Sequence, residues 1–116
     1  MPPDLGKYLQ DVRTACAALA AFTTGKSFAD YCSDSLLRAG VERQFITIGK
    51  ALMQAFRLEA SLEHSITEVR RIIGFRHLLV HGYGVINDAT VWGVVQKDLP
   101  TLVKEVESLL ASLGPP

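Results

Sequence analysis

Apolar side chains recur every three or four residues through most of this chain of 116 residues, and this spacing constrains the fold more than any other feature. It is the repeat of a helix that buries one face. No segment of the sequence has the alternating pattern of a half-buried strand, and there is no internal repeat or low-complexity segment. The length suits one domain, residues 1–116, with one core. We therefore predict an all-α bundle of about four to five helices with short connections.

Glycine, proline and small polar residues mark where the predicted helices begin and end. In the first half, the predicted helices are Leu5 to about Thr24 with Asp4 as N-cap and Gly25 as the stop, Phe28–Cys32 with Ser27 as N-cap, and about Asp34 to Arg57. A linker, Leu58–Ser65, follows. In the second half, one helix runs from an N-cap at Ser65 or Thr67 to near His81. A turn and cap at Asn87 and Asp88 precede a helix from Val91 to Lys97. The last helix begins or kinks at Asp98–Leu99–Pro100 and extends up to Gly114.

Gly49 lies beside the apolar stripe of the long third helix. A glycine inside a helix costs about 1 kcal/mol relative to alanine. We therefore expect this glycine to allow close approach of another helix.

The stretch from Arg70 to Asn87, RRIIGFRHLLVHGYGVIN, collects most of the side chains that can do chemistry. Arg76, His81 and Tyr83 gather at one helix end. On an ideal helix, Arg76 and His81 are about 140° apart and do not share a face. They can converge if His81 sits at a frayed helix end, or if two copies of the helix meet across a dimer axis.

The residues from Arg76 to Tyr83 fit the pattern arginine, four residues, histidine, any residue, tyrosine. This pattern resembles the HEPN superfamily, and specifically the HepT-like toxins of HepT/MntA toxin–antitoxin systems. The resemblance covers nearly the whole chain, including Gly25–Phe28, Arg43, Ile48–Ala51, Gly82–Val85, Val91–Trp92 and Asp98–Pro100. One residue departs from the family pattern: His77 follows the motif arginine, where a small Asn or Asp is usual.

The resemblance implies a homodimeric, metal-independent endoribonuclease without a cofactor. In that family Arg76 and His81 would be catalytic, since a guanidinium binds phosphate through a planar fork and an imidazole exchanges protons at neutral pH. The implied partner is an MntA-like nucleotidyltransferase antitoxin, which transfers AMP onto Tyr83 and thereby blocks the cleft to the RNA substrate. Further candidates for supporting the site or contacting RNA are His77, Arg70, Arg71 and Arg43.

Each of these residues also has a simpler interpretation. Arg76 can extend along the helix to solvent, or form an ion pair with Glu68 or Glu105. His81 can interact favourably with the helix dipole, and Tyr83 can be an aromatic residue at the edge of the core. Trp92 is interpreted as a core residue, Arg43 can equally be solvated, and His64 receives no role.

Charge and histidine spacing limit the kinds of site that are possible. The chain has 12 basic and 12 acidic side chains, so RNA binding must depend on a local basic patch rather than on net charge. His77 and His81 are four residues apart and can in principle chelate zinc, but the sequence offers no third ligand nearby. We therefore expect no metal site.

The chain has two cysteines, Cys16 and Cys32, and neither sits in a CxxC arrangement. We interpret both as reduced, mostly buried thiols of a cytoplasmic protein. The longest apolar run, Ala15 to Phe22, is too short to span a membrane, and no signal peptide is recognisable.

Two other classes of function compete with the ribonuclease. The domain can be a non-catalytic subunit that binds substrate or regulates a minimal nucleotidyltransferase, a reading that His77 supports. It can also be a purely structural helical dimer. RNA cleavage by the purified protein in EDTA separates the ribonuclease from both.

Overall fold

The computed structural model describes residues 4–82 and 86–114, and every regular element in that part of the chain is helical. The helices are α1 (Leu5–Thr23), α2 (Phe28–Ser33), α3 (Ser35–Leu58), α4 (Val69–His81), α5 (Asp88–Gly93) and α6 (Leu99–Leu113). A 3₁₀ helix, Ala60–His64, precedes α4, and a π-helical segment, Val94–Asp98, joins α5 to α6. The predicted all-α bundle is confirmed: four long helices form it and two helices of six residues complete it.

The core lies where the apolar stripes of the long helices meet. α1 packs against α3 and α6, and α3 packs against α4 on its other side. Fully buried side chains on these helices include Leu9, Leu19, Ile48, Leu52 and Val106. Burying each such side chain contributes about 1.5–3 kcal/mol. Hydrophobic burial therefore fixes α3 as the central helix, with one face toward α1 and another toward α4.

The short helix α2 plugs one end of the core, as predicted. Its Tyr31 is fully buried, and the ring lies 5.3 Å from the ring of Trp92 on α5. Burial raises the pKa of the Tyr31 hydroxyl. Trp92 is half-buried against the core, which confirms its interpretation as a packing residue.

Most predicted helix ends are confirmed, and local hydrogen bonds explain them. The Ser27 hydroxyl accepts from the backbone N–H of Asp30, whose carboxylate accepts in turn from the N–H of Ser27. Asn87 caps α5 by accepting from two backbone N–H groups. Gly25, with φ of +76°, follows the end of α1, and Pro100 lies in the first turn of α6.

The start of α4 was predicted wrongly. Neither Ser65 nor Thr67 is its N-cap; the helix begins after Glu68, which has a left-handed backbone with φ of 56°. The backbone N–H and the hydroxyl of Thr67 donate instead to the carboxylate of Glu105 on α6, over 3.0 and 2.9 Å. A partner distant in sequence therefore sets this boundary.

Three smaller predictions also need correction. The linker Leu58–Ser65 contains the 3₁₀ helix, because Leu62 is buried and anchors it. Asp4 precedes α1 but makes no side-chain cap, since its backbone is already in the helical region. Cys32 is exposed, because the short α2 turns only its Tyr31 face inward; Cys16 is buried as predicted. Within residues 4–82 and 86–114, no helix is long and apolar enough to cross a membrane.

Candidate functional site

Arg76 lies where α4 packs directly against α3, at Gly49. A Cβ atom added to Gly49 would lie 2.1 Å from Cβ and 2.5 Å from Cγ of Arg76, which is far inside van der Waals contact. Because glycine has no side chain, the stem of Arg76 can lie directly against the backbone of α3. The predicted close approach of another helix at Gly49 is confirmed.

The guanidinium group of Arg76 contains an unsatisfied buried donor. Its Nε atom is buried and has no hydrogen-bond partner within the described part of the chain. Buried donors in folded proteins nearly always have a partner, so an orphaned one needs an explanation. A ligand that accepts hydrogen bonds is one such explanation.

Arg76 lines a groove of about 580 Å³ between α1, α3 and α4. The polar residues that share this groove are Arg43, Thr47, Lys50 and Gln54 of α3, and Tyr8 and Asp11 of α1. In the described ranges, no salt bridge includes any of the three cationic side chains in the groove. The groove therefore presents three positive charges and one carboxylate to solvent.

The ion pairs suggested for Arg76 do not form. Glu68 pairs instead with Arg71, over 3.0 Å, and the carboxylate of Glu105 is occupied by Thr67. Arg76 packs instead against Gly49 of α3. Its interpretation as one half of such an ion pair is therefore wrong.

The two histidines of α4 lie on a different face from Arg76. His77 and His81 are both exposed, and their rings are 4.6 Å apart. The N–H of Gly82 donates to the carbonyl of Leu78 over 2.7 Å, so the helix stays regular through His81. A frayed helix end therefore does not bring His81 to Arg76, and the angle of about 140° between them persists.

Metal ligands are sparse in the described chain. Among residues 4–82 and 86–114, no three or more His, Cys, Asp or Glu side chains are grouped closely enough to hold a metal ion. The His77–His81 pair has no third ligand there.

The other predicted arginines point elsewhere. Arg70 pairs with Glu63 over 2.9 Å, and this hydrogen bond lowers the pKa of the Glu63 carboxyl group. Arg71 reaches Asp98 over 2.5 Å. The structure thus places Arg43 in the same groove as Arg76, and Arg70 and Arg71 outside it. Tyr83 lies outside the described residues.

The family profile described as "Ribonuclease HepT-like" matches residues 12–109. This chain belongs to the HepT-like ribonuclease family. The match includes α3, α4 and the whole Arg76–His81 motif. It confirms the family that the motif and its surroundings predicted.

Several relatives that align with this chain over almost their full lengths are named as ribonucleases. A protein of Caldanaerobacter subterraneus subsp. tengcongensis named "Putative RNase" is 30% identical over 103 residues, 89% of this chain and 91% of that one. A "Putative RNase" of Methanocaldococcus jannaschii is 24% identical over 106 residues, 90% and 94% of the two chains. "Probable ribonuclease HepT" of Thermococcus cleftensis is 26% identical over 102 residues, 88% and 92% of the two chains. No solved structure matches the chain.

For this HepT-like chain, sequence reasoning identified Arg43 but missed the other groove residues of α3. Arg43, Thr47, Lys50 and Gln54 follow an i, i+4, i+7, i+11 spacing, which is one polar stripe on a helix. That spacing was a usable signal. Tyr8 and Asp11 had no such signal, because only the packing of α1 beside α3 brings them to the groove.

Proposed function

We propose that this chain is a metal-independent endoribonuclease that serves as the toxin of a HepT/MntA-type module. The observation that carries the proposal is Arg76, packed against Gly49 with an unpartnered buried Nε and facing the basic groove. An arginine held this way can bind a phosphodiester through two parallel hydrogen bonds. The family and the names of the relatives support an activity on RNA.

The active site of the proposed enzyme forms between two copies of the chain. Since Arg76 and His81 lie on different faces of a regular α4, Arg76 of one copy acts with His81 of the partner subunit. The exposed side of α4 suits such a contact. Gly74 has open space around it, and Val80 is a large apolar residue with 36% exposure beside the two histidines.

The proposed chemistry uses the RNA's own 2′-hydroxyl as the nucleophile. Its oxygen forms a bond to phosphorus while the bond from phosphorus to the 5′ oxygen breaks. His81 takes the proton from the 2′-hydroxyl or supplies one to the leaving oxygen. Arg76 stabilises the negative charge that grows on the phosphate oxygens in the transition state.

Cleavage of RNA by purified protein in EDTA tests the proposal. His81→Ala should lower the cleavage rate by about 10²–10⁴-fold, the usual contribution of a general acid or base. Arg76→Ala should also abolish cleavage, while its remaining Cβ still packs on Gly49 and preserves the fold. His64→Ala, which changes an exposed histidine outside α4, is the matched control and should cleave like the wild type.

Two results would count against this function. Wild-type protein that leaves RNA intact would favour the non-catalytic regulatory subunit. Variants of Arg76 and His81 that cleave at the wild-type rate would show that other residues do the chemistry. Circular dichroism of each variant checks that the helices are retained.

We further propose that AMP transfer onto Tyr83 neutralises the enzyme. Tyr83 is two residues from His81 in sequence, past the glycine that follows α4. A phosphate attached there would compete with RNA for the positive charge of the site. With an MntA-like nucleotidyltransferase and ATP, wild-type protein should gain the mass of AMP and lose activity, whereas Tyr83→Phe should do neither. Modified Tyr83→Phe would place the acceptor on another residue.

A further inference from the structure

The polar stripe of α3 runs along the groove for a considerable distance. From Arg43 to Gln54 the helix rises about 16 Å, at 1.5 Å per residue. Arg76 meets α3 at Gly49, which is level with the middle of this stripe along the helix axis. Lys50 directly follows Gly49, and Arg43 lies about 9 Å before it along the helix axis. Both side chains are exposed.

The groove is rich in positive charge, although the chain as a whole is neutral. The chain has equal numbers of basic and acidic residues, yet three cationic side chains line the groove and Asp11 is its one acidic lining residue. Like charges held close together repel each other unless an anion lies between them. Together with the unpartnered Nε of Arg76, this arrangement favours a ligand with several negative charges.

We propose that the groove binds the sugar–phosphate backbone of a single RNA strand, with Arg43 and Lys50 contacting further phosphates near the one held by Arg76. The inference rests on the ribonuclease function proposed above and names the surface that positions its substrate. Arg43 and Lys50 are about 10 Å apart along α3, whereas the phosphates of a stacked strand are about 3.4 Å apart along its axis. The groove therefore spans several phosphates, more than a mononucleotide carries.

Two neutral side chains in the groove suit the same ligand. The half-buried ring of Tyr8 offers a surface on which a base can stack, an interaction that tolerates any base. The amide of Gln54 can donate to a phosphate or sugar oxygen. Recognition of this kind reads the backbone and the stacked bases rather than the sequence, so Arg43 and Lys50 should affect substrate affinity more than the chemical step.

Binding can be measured apart from cleavage with a short fluorescent RNA whose 2′-hydroxyls are methylated, because such an RNA lacks the nucleophile. The Arg43→Gln/Lys50→Gln double variant should bind it roughly tenfold more weakly near 0.1 M salt. The plot of log affinity against log salt concentration should become less steep, by about 0.7 in slope for each phosphate contact removed. Lys104→Gln removes one exposed lysine of α6 outside the groove and is the control for losing a positive charge elsewhere, with affinity and slope unchanged.

A gain of affinity provides a second test that misfolding cannot imitate. Asp11→Asn removes the carboxylate that repels phosphate in the groove, so it should bind the methylated RNA several-fold more tightly than the wild type. The inference is overturned if the double variant binds like Lys104→Gln, if Asp11→Asn leaves the affinity unchanged, or if duplex RNA binds more tightly than the single strand.

Cleavage of unmodified RNA by the same variants separates the two proposals. If the groove binds RNA as described but the wild type cleaves nothing, the ribonuclease proposal fails alone. If the double variant cleaves with unchanged KM and kcat, the groove inference fails and the ribonuclease stands. The expected result is a raised KM with kcat nearly retained.

Discussion

At the scale of a residue, a missing methyl group at Gly49 decides where Arg76 lies. Any side chain there would meet the Cβ of Arg76 at 2.1 Å, so α4 could not pack at its present distance from α3. Packed helices do not deform smoothly around such an overlap, and inserting even one methyl into a tight contact is destabilising. Gly49 thus links the packing of the core to the position of the candidate catalytic arginine.

Gly49→Ala should destabilise the fold and displace Arg76. Overpacking a core costs about 1–3 kcal/mol, whereas replacing a helical glycine by alanine gains about 1 kcal/mol of helix propensity. With an overlap as close as 2.1 Å, the cost of overpacking should exceed that gain. Urea denaturation should show a lower free energy of unfolding, and RNA cleavage should fall with it.

Gly93→Ala is the matched control for this change. Gly93 also has a helical backbone, but nothing lies within 4 Å of the position its Cβ would take. This variant should therefore be as stable as the wild type or slightly more so. Equal stability of Gly49→Ala and Gly93→Ala would contradict the close packing of α3 and α4.

At the scale of an element, α2 depends on the reciprocal hydrogen bonds between Ser27 and Asp30. Six residues are too few to form a stable helix in water. The cap holds α2 in place at its start, and Tyr31 holds it to the core. Loss of the cap should therefore loosen the Tyr31–Trp92 contact.

Ser27→Ala should lower the free energy of unfolding by about 1 kcal/mol, the usual cost of losing a serine N-cap. Ser35→Ala serves as the control, because this neighbouring exposed serine caps no helix in the structure. Urea denaturation monitored by the fluorescence of Trp92 would report both variants. A Ser27→Ala protein as stable as Ser35→Ala would refute the importance of the cap.

The same cap predicts a dependence on pH. Hydrogen bonds from the backbone and side chain of Ser27 lower the pKa of Asp30 in the folded protein. A lowered folded-state pKa means that the carboxylate contributes stability above its unfolded pKa of about 3.9 and loses it as pH falls through the folded value. The stability difference between the wild type and Asp30→Asn should accordingly shrink in acid, and a difference that grows would contradict the cap.

At the scale of the whole molecule, the regular α4 keeps the proposed catalytic groups of one chain apart. Arg76 faces α3, while His77 and His81 face solvent on another side. A partner subunit that presents its exposed histidine face to the groove of Arg76 would complete the pair in each copy. The proposed dimer thus follows from the direction of side chains on a helix.

Mixing the inactive Arg76→Ala and His81→Ala proteins should restore part of the cleavage activity. Random exchange makes about half of the dimers mixed, and each mixed dimer has one complete pair of two, so activity should return to about a quarter of the wild-type level. Cleavage assays after subunit exchange, with light scattering to follow the dimer, measure this. A mixture as inactive as its parents would place both residues in one chain or remove them from the chemistry.

Helix positions and most helix ends could be predicted because their signals act over a few residues. Helices begin at the caps Ser27 and Asn87, and one ends just before Gly25. Each of these signals acts on residues within four positions, so its effect is visible in the local sequence. The start of α4 was missed because the Glu105 carboxylate that binds Thr67 is 38 residues away. Helical periodicity identifies which face of a helix is buried, but not which distant side chain satisfies its end.

The sequence by itself also determined the Arg76–His81 motif and the family to which it belongs. Only the tertiary structure decided which side chains surround Arg76. The groove exists because α4 lies against Gly49 of α3, while α1 brings Asp11 beside the polar stripe of α3 that includes Lys50. Contacts between helices depend on the shapes of both partners at once, and no pattern within either helix contains that information.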